Sequence, residues 1–599
     1  MSYAIRRQLS NEEQAKLAGF SPLLAHLLHH RGLTDVETAQ KFLTPDYVRD
    51  THDPFLLKDA EKAATRIIQA IQNDERIAIY ADYDADGIPG AVIWNDFFKR
   101  IGFKNFSIYI PHRHDEGFGL NIAAVDHLAL HDAVELLITV DCGISDVKPV
   151  ERANELGMEV IITDHHETPV SPSTGIESLP PAFAIIDHKQ TDCAYPDKNI
   201  CGSGVAFKLI QAILKKERFD LKDGHEKWLL DMVGIATLSD MVPLVGENRV
   251  FAYYGLQVLR KSPRKGLIRL LEKLKIAQKH LTEDDIAFMV TPRINAASRM
   301  GLPMDAFSLL AADDDADARK FADHLDAINN ERKGVVASLV KEVKKTLHGR
   351  HGHDAAAFPS VIVLGNPEWR PSLLGLVANT CAGEFSRPVF LWGRDGDNAI
   401  KGSCRSEGQS NVVELMRAVP AGVLTQFGGH RYSGGFAVAN ESVHFLEKHL
   451  TDAKEKQEVR SKRSADRAGG GEKGESAFDG NAEEMIDAEL SIDDIDWNLQ
   501  KDINKLAPFG TGNPKPVFLF KKVAPVSVRR FGKGNEHIEL VFKKKNGVKI
   551  PAISFFGVEN EWAKKVEANK PIDLIASVEK SMFRGRTELR LRVVDVVIS

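Results

Sequence analysis

Between residues 58 and 260 the chain repeats one pattern five times: ERIAIYADYD, FSIYIP, VELLITVDCG, MEVIITDHHE and AFAIID are short apolar or β-branched runs that break into polar loops. Most are followed by a helical period. This alternation predicts an α/β fold, with a mostly parallel sheet and helices on its faces. Ligands gather at the carboxyl ends of strands in such sheets, and the polar residues of interest fall there.

The first run ends in Asp82-Tyr83-Asp84-Ala85-Asp86-Gly87, three carboxylates within five residues. Like charges this close raise one another's pKa or require a counter-ion, and a pair of divalent metals is the simplest compensation. Gly87 and Gly90 let the loop turn into the helix that begins near Ala91. Taken alone, the motif also admits a reading as an acidic loop with helix-capping carboxylates. Further sites change that balance: Asp141 in ITVDCG, Asp164-His165-His166 in IITDHHE, and Asp240 in ATLSDMVPL each follow an apolar run expected to be a strand. Carboxylates mixed with histidine suit Mn²⁺ or Mg²⁺ better than a thiolate-type zinc site.

At 599 residues the chain exceeds a single core, since domains run to ~100–200 residues. Residues 1–57 read as a small helical cap on the neighbouring domain, and 58–260 as that α/β domain. Residues 261–350 form a helical connector, with one long helix from about Asp313 to Leu347, and 351–450 a second, smaller α/β domain. Residues 451–485 nearly lack large apolar side chains and read as a disordered linker. Residues 486–599 carry short alternating strands that suggest a small β-barrel.

The net charge of −6 excludes a chain that is basic throughout, but it leaves room for a local basic groove. Residues 501–599 hold 20 Lys+Arg against 10 Asp+Glu, a local net of +10. A basic small barrel suits single-stranded nucleic acid. Phe531, Phe555, Phe556 and Phe583 read either as stacking platforms for bases or as core. Residues 472–496 are acidic and read as a solvated linker or an interaction strip. Five cysteines without metal spacing, odd in number, argue against a disulfide framework and for reduced thiols. No signal-type or membrane-spanning apolar run is present, so a cytoplasmic location is expected.

The set DYDADG, VDCG, DHHE and LSDMVPL resembles the DHH phosphoesterases. The resemblance implies a centre for two divalent ions, Mn²⁺ or Mg²⁺, with ligands from Asp82, Asp84, Asp86, Asp141, His165 and Asp240. Asp141 is then the bridge, Asp86 also belongs to the catalytic set, and His166 serves in support or proton transfer. Phosphodiester hydrolysis is the implied reaction, with no covalent nucleophile.

YIPHRHDEGFGLN (109–121), YPDKNICGSGVAFKL (195–209), TPRINAASRMG (291–301), KGSCRS (401–406), FGGH (427–430) and LAPFGTGNPKPVF (506–518) extend the likeness to the RecJ-type exonucleases. That resemblance implies a DHH catalytic domain (58–260), a DHHA1 domain (351–450) and an OB-fold (486–599). It implies 5′→3′ degradation of single-stranded DNA in recombination and repair, by a monomer assisted by a helicase and a single-strand-binding protein. Arg113, Arg299, Ser403 and Arg405 would hold the 5′ phosphate. His430 would be structural or touch the strand backbone near the metals, and Arg293 and Asn295 would support the loop.

Some positions depart from that pattern. Pro89 stands where threonine is common, Arg370 where histidine is, Arg431-Tyr432 where small residues are, and Asp187-His188 where Asn-Pro is. Two other readings remain: a phosphodiesterase for short oligonucleotides or cyclic dinucleotides, which would not need the basic barrel, and a non-catalytic strand-binding scaffold of the Cdc45 kind, which would not need a full ligand set.

Overall fold

The computed structural model describes residues 3–171, 175–352, 354, 357–394, 399–408, 410–467, 484–532, 534–583 and 586–598. A short strand, β1 (Tyr3–Ile5), is followed by three small helices, Asn11–Lys16, Pro22–His29 and Val36–Leu43. The chain then builds a sheet from β2 (Ile77–Ala81), β3 (Phe106–Tyr109), β4 (Leu136–Val140), β5 (Glu159–Thr163) and β6 (Ala184–Ile186). Its order is β3-β2-β4-β5-β6 and every pairing is parallel. All residues of IAIYA and LLITV are buried, as a sheet covered on both faces demands, so continuous rather than alternating apolar runs produced it.

Register sets the strand ends level. Ala81 pairs with Val140, Val140 with Thr163 and Thr163 with Ile186. The first residue beyond each strand continues the ladder: the amides of Asp82, Asp141 and Asp164 donate to the carbonyls of Val140, Thr163 and Ile186 at 3.0–3.2 Å. Three acidic residues thus leave adjacent strands at one height.

Beyond the sheet come mainly helices, including Gly202–Lys216, Leu230–Ser239, Gly246–Leu259 and Thr291–Met300, then one of 37 residues, Asp315–His351. Asp314 caps this last helix by accepting from the amides of Ala316 and Asp317. A second sheet comes next: β7 (Ile362–Gly365), β8 (Val389–Arg394), β9 (Ile400–Arg405), β10 (Leu424–His430) and β11 (Ser433–Val438), in the order β10-β11-β9-β8-β7. Helix Pro371–Phe385 buries Leu373, Leu374, Val377 and Ala378 beside it.

The stretch expected to be a disordered linker from 451 is helical up to Arg467, as part of helix Leu446–Arg467. Low hydrophobicity excludes a core but not a helix. DAKEKQEVRSKRSADR is rich in strong helix formers, and Leu446, Leu450 and Ala453 anchor its first turns. The rest of that expectation, 468–483, lies outside the described residues.

The C-terminal unit comprises β12 (Glu484–Ile486), β13 (Ala488–Glu489), β14 (Phe518–Val523), β15 (Ser527–Phe531), β16 (His537–Lys543), β17 (Lys549–Ser554), β18 (Ile572–Phe583) and β19 (Arg586–Val597). Seven of them form one sheet in the order β13-β14-β18-β19-β17-β16-β15, while β12 pairs with β1 in parallel. Residues 1–57 do not simply cap the first α/β domain. Leu17, Leu24, Leu27 and Leu28 are buried in the same cluster as Phe518, Leu540, Leu574 and Leu591 of the barrel. The i, i+3, i+4 leucines of Pro22–His29 announce an apolar face, but spacing does not say which partner covers it.

The barrel docks directly behind the DMVPL segment. The Leu244 amide donates to the Thr511 carbonyl at 2.7 Å, and Arg249 reaches the carbonyls of Phe42 and Ala507 at 2.7 and 3.0 Å. Among the described residues no helix is long and apolar enough to cross a membrane. All five cysteines are free and buried.

Candidate metal centre

The level strand ends bring Asp82, Asp84, Asp86, Asp141, His165, His166 and Asp240 together. Three groups of donor atoms each lie within 4.8 Å of one another: Asp82, Asp84 and Asp141; Asp86, His165 and Asp240; Asp141, His165 and His166. Asp141 therefore belongs to two of the sets, and His165 links it to the third. Its Oδ1 is 3.1 Å from His165 Nε2, which is also 3.7 Å from Asp86 and 3.8 Å from Asp240.

Asp240 does not come from a strand. It is the residue that ends helix Leu230–Ser239. DMVGIATLS is apolar on nearly every side because the helix is buried all round, and periodicity cannot separate such a run from a buried strand.

The loop is held from several directions. Asp84 Oδ1 accepts from the amides of Asp86 and Gly87 at 2.7 and 3.3 Å, and the Ala85 amide donates to Asn295 at 2.9 Å. Both Asp86 oxygens accept from the first amides of helix Gly202–Lys216, Gly202 at 2.6 Å and Ser203 at 2.7 Å. A carboxylate at a helix N-terminus is favoured by its unpaired amides and dipole. Asp141 has φ 62°, a left-handed conformation that a non-glycine residue keeps only where its surroundings enforce it.

Gly202 is part of that enforcement. A Cβ there would stand 2.6 Å from Asp141 Cβ and 2.9 Å from its Oδ1. Gly202→Ala should therefore push the helix N-terminus away from both Asp141 and Asp86. We expect about a 10²-fold drop in turnover, since misplacements near 1 Å cost that much, with the far-ultraviolet circular dichroism unchanged. Steady-state hydrolysis rates check this, and wild-type turnover would show that the tight fit is incidental.

The electrostatics match a site built for cations. Burial, and then repulsion from neighbouring carboxylates, raise Asp82, Asp141 and Asp240 well above the ordinary carboxylate range. The same causes bring Asp86 up to about 6. Oδ1 of Asp82 and of Asp141 is buried and accepts no hydrogen bond among the described residues. Buried carboxylate oxygens without donors are costly unless a cation meets them, so hard divalent ions fit this donor set.

Burial and the neighbouring His166 lower His165 to about 3, leaving it neutral as a metal ligand must be. His166 differs. Burial would lower it, but its Nδ1 lies 2.7 Å from Asp164 Oδ1 and that bond carries it up to about 9. Asp164 is itself buried, yet hydrogen bonds from His166 and the Ile144 amide hold it near about 2. Asp164 orients the imidazole and does not join the donor groups.

Several of the remaining expected residues lie near this edge: Arg113 acts on Asp82, and Arg299 is close to Asp84, Arg113 and Arg405. The Arg113 guanidinium lies 4.9 Å from the Tyr83 ring centre. Arg299 donates to the Ser372 carbonyl at 2.7 Å, joining helix Thr291–Met300 to the start of helix Pro371–Phe385. Arg405 and Ser403 lie under that same helix, 3.0 and 3.6 Å from where a Gly375 Cβ would be. Burial, followed by the like charges of Arg113 and Arg332, lowers Arg299 to about 9. His430, at the end of β10, is lowered by burial and by His166, which places this hairpin beside the acidic edge. Arg293 instead pairs with Asp326 at 3.0 Å and stays within the scaffold.

On the barrel, Phe531, His537, Phe555 and Phe556 form a ring cluster with centroids 4.7–6.4 Å apart. Arg592 lies 4.3 Å from the Phe555 ring. Phe556 is 74% exposed, so it is not core. Phe583 lies outside the described side chains.

Family models described as "DHH family, N-terminal domain", "DHHA1 domain" and "RecJ OB domain" match residues 76–237, 358–458 and 486–595. The single-stranded-DNA-specific exonuclease RecJ of Bacillus subtilis (strain 168) is 32% identical over 581 residues, covering 97% of this chain and 68% of that protein. The chain belongs to the RecJ family. RecJ of Haemophilus influenzae is 29% identical over 592 residues, covering 96% of this chain and 95% of that one. Among solved structures, Thermus thermophilus RecJ in complex with Mn²⁺ shares the fold, with a TM-score of 0.76 over 100% of this chain and 80% of that chain at 24% identity. A crystal structure of exonuclease RecJ bound to manganese matches at 31% identity and a TM-score of 0.55, over 66% of this chain and 94% of that one.

Proposed function

We propose that this RecJ-family chain is a metal-dependent exonuclease that hydrolyses single-stranded DNA from its 5′ end. The observation that carries the reading is the cluster of three overlapping donor sets, in which Asp141 joins Asp82 and Asp84 to His165 and His165 in turn joins Asp86 and Asp240, with Arg113 and Arg299 close enough to act on Asp82 and Asp84. Asp82, Asp84, Asp86, Asp141, His165 and Asp240 are the residues that would hold two divalent ions, Mn²⁺ or Mg²⁺. Ions bound there would activate a water and neutralise charge on the scissile phosphate.

The chain's own groups do the rest. Asp164 fixes His166 through Nδ1, which leaves Nε2 as the ring atom able to hold a proton for the leaving oxygen. Arg299, Ser403 and Arg405, which converge beside helix Pro371–Phe385, would take a terminal phosphate through charge-assisted hydrogen bonds. Arg113 and His430 flank the path, and the exposed Phe556 cluster on the basic barrel gives bases a stacking surface. The barrel's anchorage on the segment after Asp240 keeps that surface fixed relative to the donor groups.

End-labelled single strands, duplexes and dinucleotides incubated with Mn²⁺ or Mg²⁺ test the reading. Stepwise release of nucleotides from the 5′ end of single strands is expected; preference for dinucleotides, or release from 3′ ends, would overturn it. Arg405→Ala should cost 5′-phosphorylated strands about 2 kcal/mol in kcat/KM, roughly 30-fold, and spare 5′-hydroxyl strands. An equal loss on both ends would remove the terminal pocket.

A further inference from the structure

The 37-residue helix Asp315–His351 crosses between the two α/β units and packs against helix Thr291–Met300, which carries Arg299 and Asn295. Most of its outward face is charged and solvated. One strip on its packed side is not. Asn329 is fully buried, and neither Nδ2 nor Oδ1 has a hydrogen-bond partner among the described residues. One turn later, at i+3 on the same face, Arg332 has its Nε enclosed and also unpartnered.

Unpaired buried polar groups are rare in folded proteins, and three such atoms within one turn call for an explanation. The charges around Arg332 sharpen the point. It acts as a like charge on Arg299 and Lys333, and Arg293 acts so on it. The nearby carboxylate, Asp326, is taken by Arg293 at 3.0 Å. A guanidinium that is half-enclosed, set among other cations and without a carboxylate partner among the described residues is a favourable place for an anion from outside the chain.

We infer that Arg332 is a further strand-binding residue: its guanidinium takes a backbone phosphate of the bound strand where the connecting helix packs beside Arg299, with Asn329 as the polar floor beneath it. This rests on the exonuclease reading and adds a contact from an element to which that reading gives no role. Neither side chain touches the donor groups of the metal centre, so the contact serves affinity and placement rather than bond cleavage.

The experiment is equilibrium binding of a 5′-phosphorylated oligo(dT) strand to the full chain in EDTA, followed by fluorescence anisotropy from 50 to 300 mM NaCl, for wild type, Arg332→Gln and Arg332→Lys. Losing one phosphate contact should reduce the slope of log K against log salt by about 0.7 and weaken binding about tenfold in Arg332→Gln. Arg332→Lys should keep the wild-type slope and most of the affinity, because it keeps the charge. Wild-type affinity and slope in Arg332→Gln would overturn the inference. So would equal weakening of both variants at unchanged slope, which marks a packing defect. Failure of the wild type itself to bind the strand would instead bring down the exonuclease reading, and this inference with it.

Discussion

Asparagine in place of Asp141 should nearly abolish hydrolysis while making the metal-free protein more stable. The loss follows from position: Asp141 is the one residue shared by the Asp82–Asp84 set and the His165–His166 set, and it lies 3.1 Å from His165 of the Asp86–Asp240 set. Removing its charge should cost several kcal/mol of phosphate-charge neutralisation, on the order of 10³-fold in rate. The gain follows from the same burial. Asp141 is enclosed among Asp86, Asp84, Asp82 and Asp240, all of which repel its charge.

Asparagine is nearly isosteric, lacks that charge and tolerates the left-handed φ of 62°. A gain of about 1 kcal/mol is typical when such a functional strain is relieved. Mn²⁺ at a hundredfold over its dissociation constant should stabilise the wild type by ~2.7 kcal/mol, and Asp141→Asn should lose most of that response. Thermal melts in EDTA and in MnCl₂, beside hydrolysis rates on single strands, read both signs together. Full activity, or an undiminished response to Mn²⁺, would mean that Asp141 does not join the two sets.

What could be read in the residues, and what could not, divides along physical lines. Parallel strands buried on both faces are spelled out by IAIYA and LLITV, and the acidic residues that end them are visible as soon as the strands are. Their common height is not, because register depends on pairings between segments far apart in the chain. Asp240 was legible as a donor through its motif but not as a helix terminus, since a helix buried all round has no apolar stripe. The grouping of Arg113, Arg299, Ser403 and Arg405 came from resemblance alone; nothing in the local pattern separates Arg299, which reaches the Ser372 carbonyl of the second α/β unit, from Arg293, which pairs with Asp326. Asn329 and Arg332 carried no signal at all. In INNERKGVV they look like any solvated helix face, and only packing against Thr291–Met300 shows that their polar atoms are enclosed.

The partner of the N-terminal helices was equally hidden, and it has a measurable consequence. Deleting residues 1–33 should unfold the C-terminal barrel rather than merely uncover the catalytic domain. The deletion removes Leu17, Leu24, Leu27 and Leu28, each at most 1% exposed and all within the barrel's own core. At roughly 1.5–3 kcal/mol per buried leucine, the loss approaches about 6–12 kcal/mol as an upper bound, comparable to the whole stability of a domain.

Specific anchors go with them. Arg31 Nε donates to Asn513 at 3.0 Å and its terminal nitrogen to the Pro514 carbonyl at 2.7 Å, while His26 Nε2 meets the Asp487 carbonyl at 2.7 Å. β1 is also the strand that pairs with β12. Limited proteolysis should then cut first within 486–598, with the Asp82–Asp240 region still protected and still able to bind Mn²⁺. Leu24→Ala with Leu28→Ala offers a milder version, at ~2–5 kcal/mol for each substitution, and should lower the same transition without removing any backbone. Were the N-terminal helices a lid on the catalytic domain, protection would be lost around residues 58–260 instead and the barrel would stay resistant. The proteolytic map therefore decides which of the two cores these leucines complete.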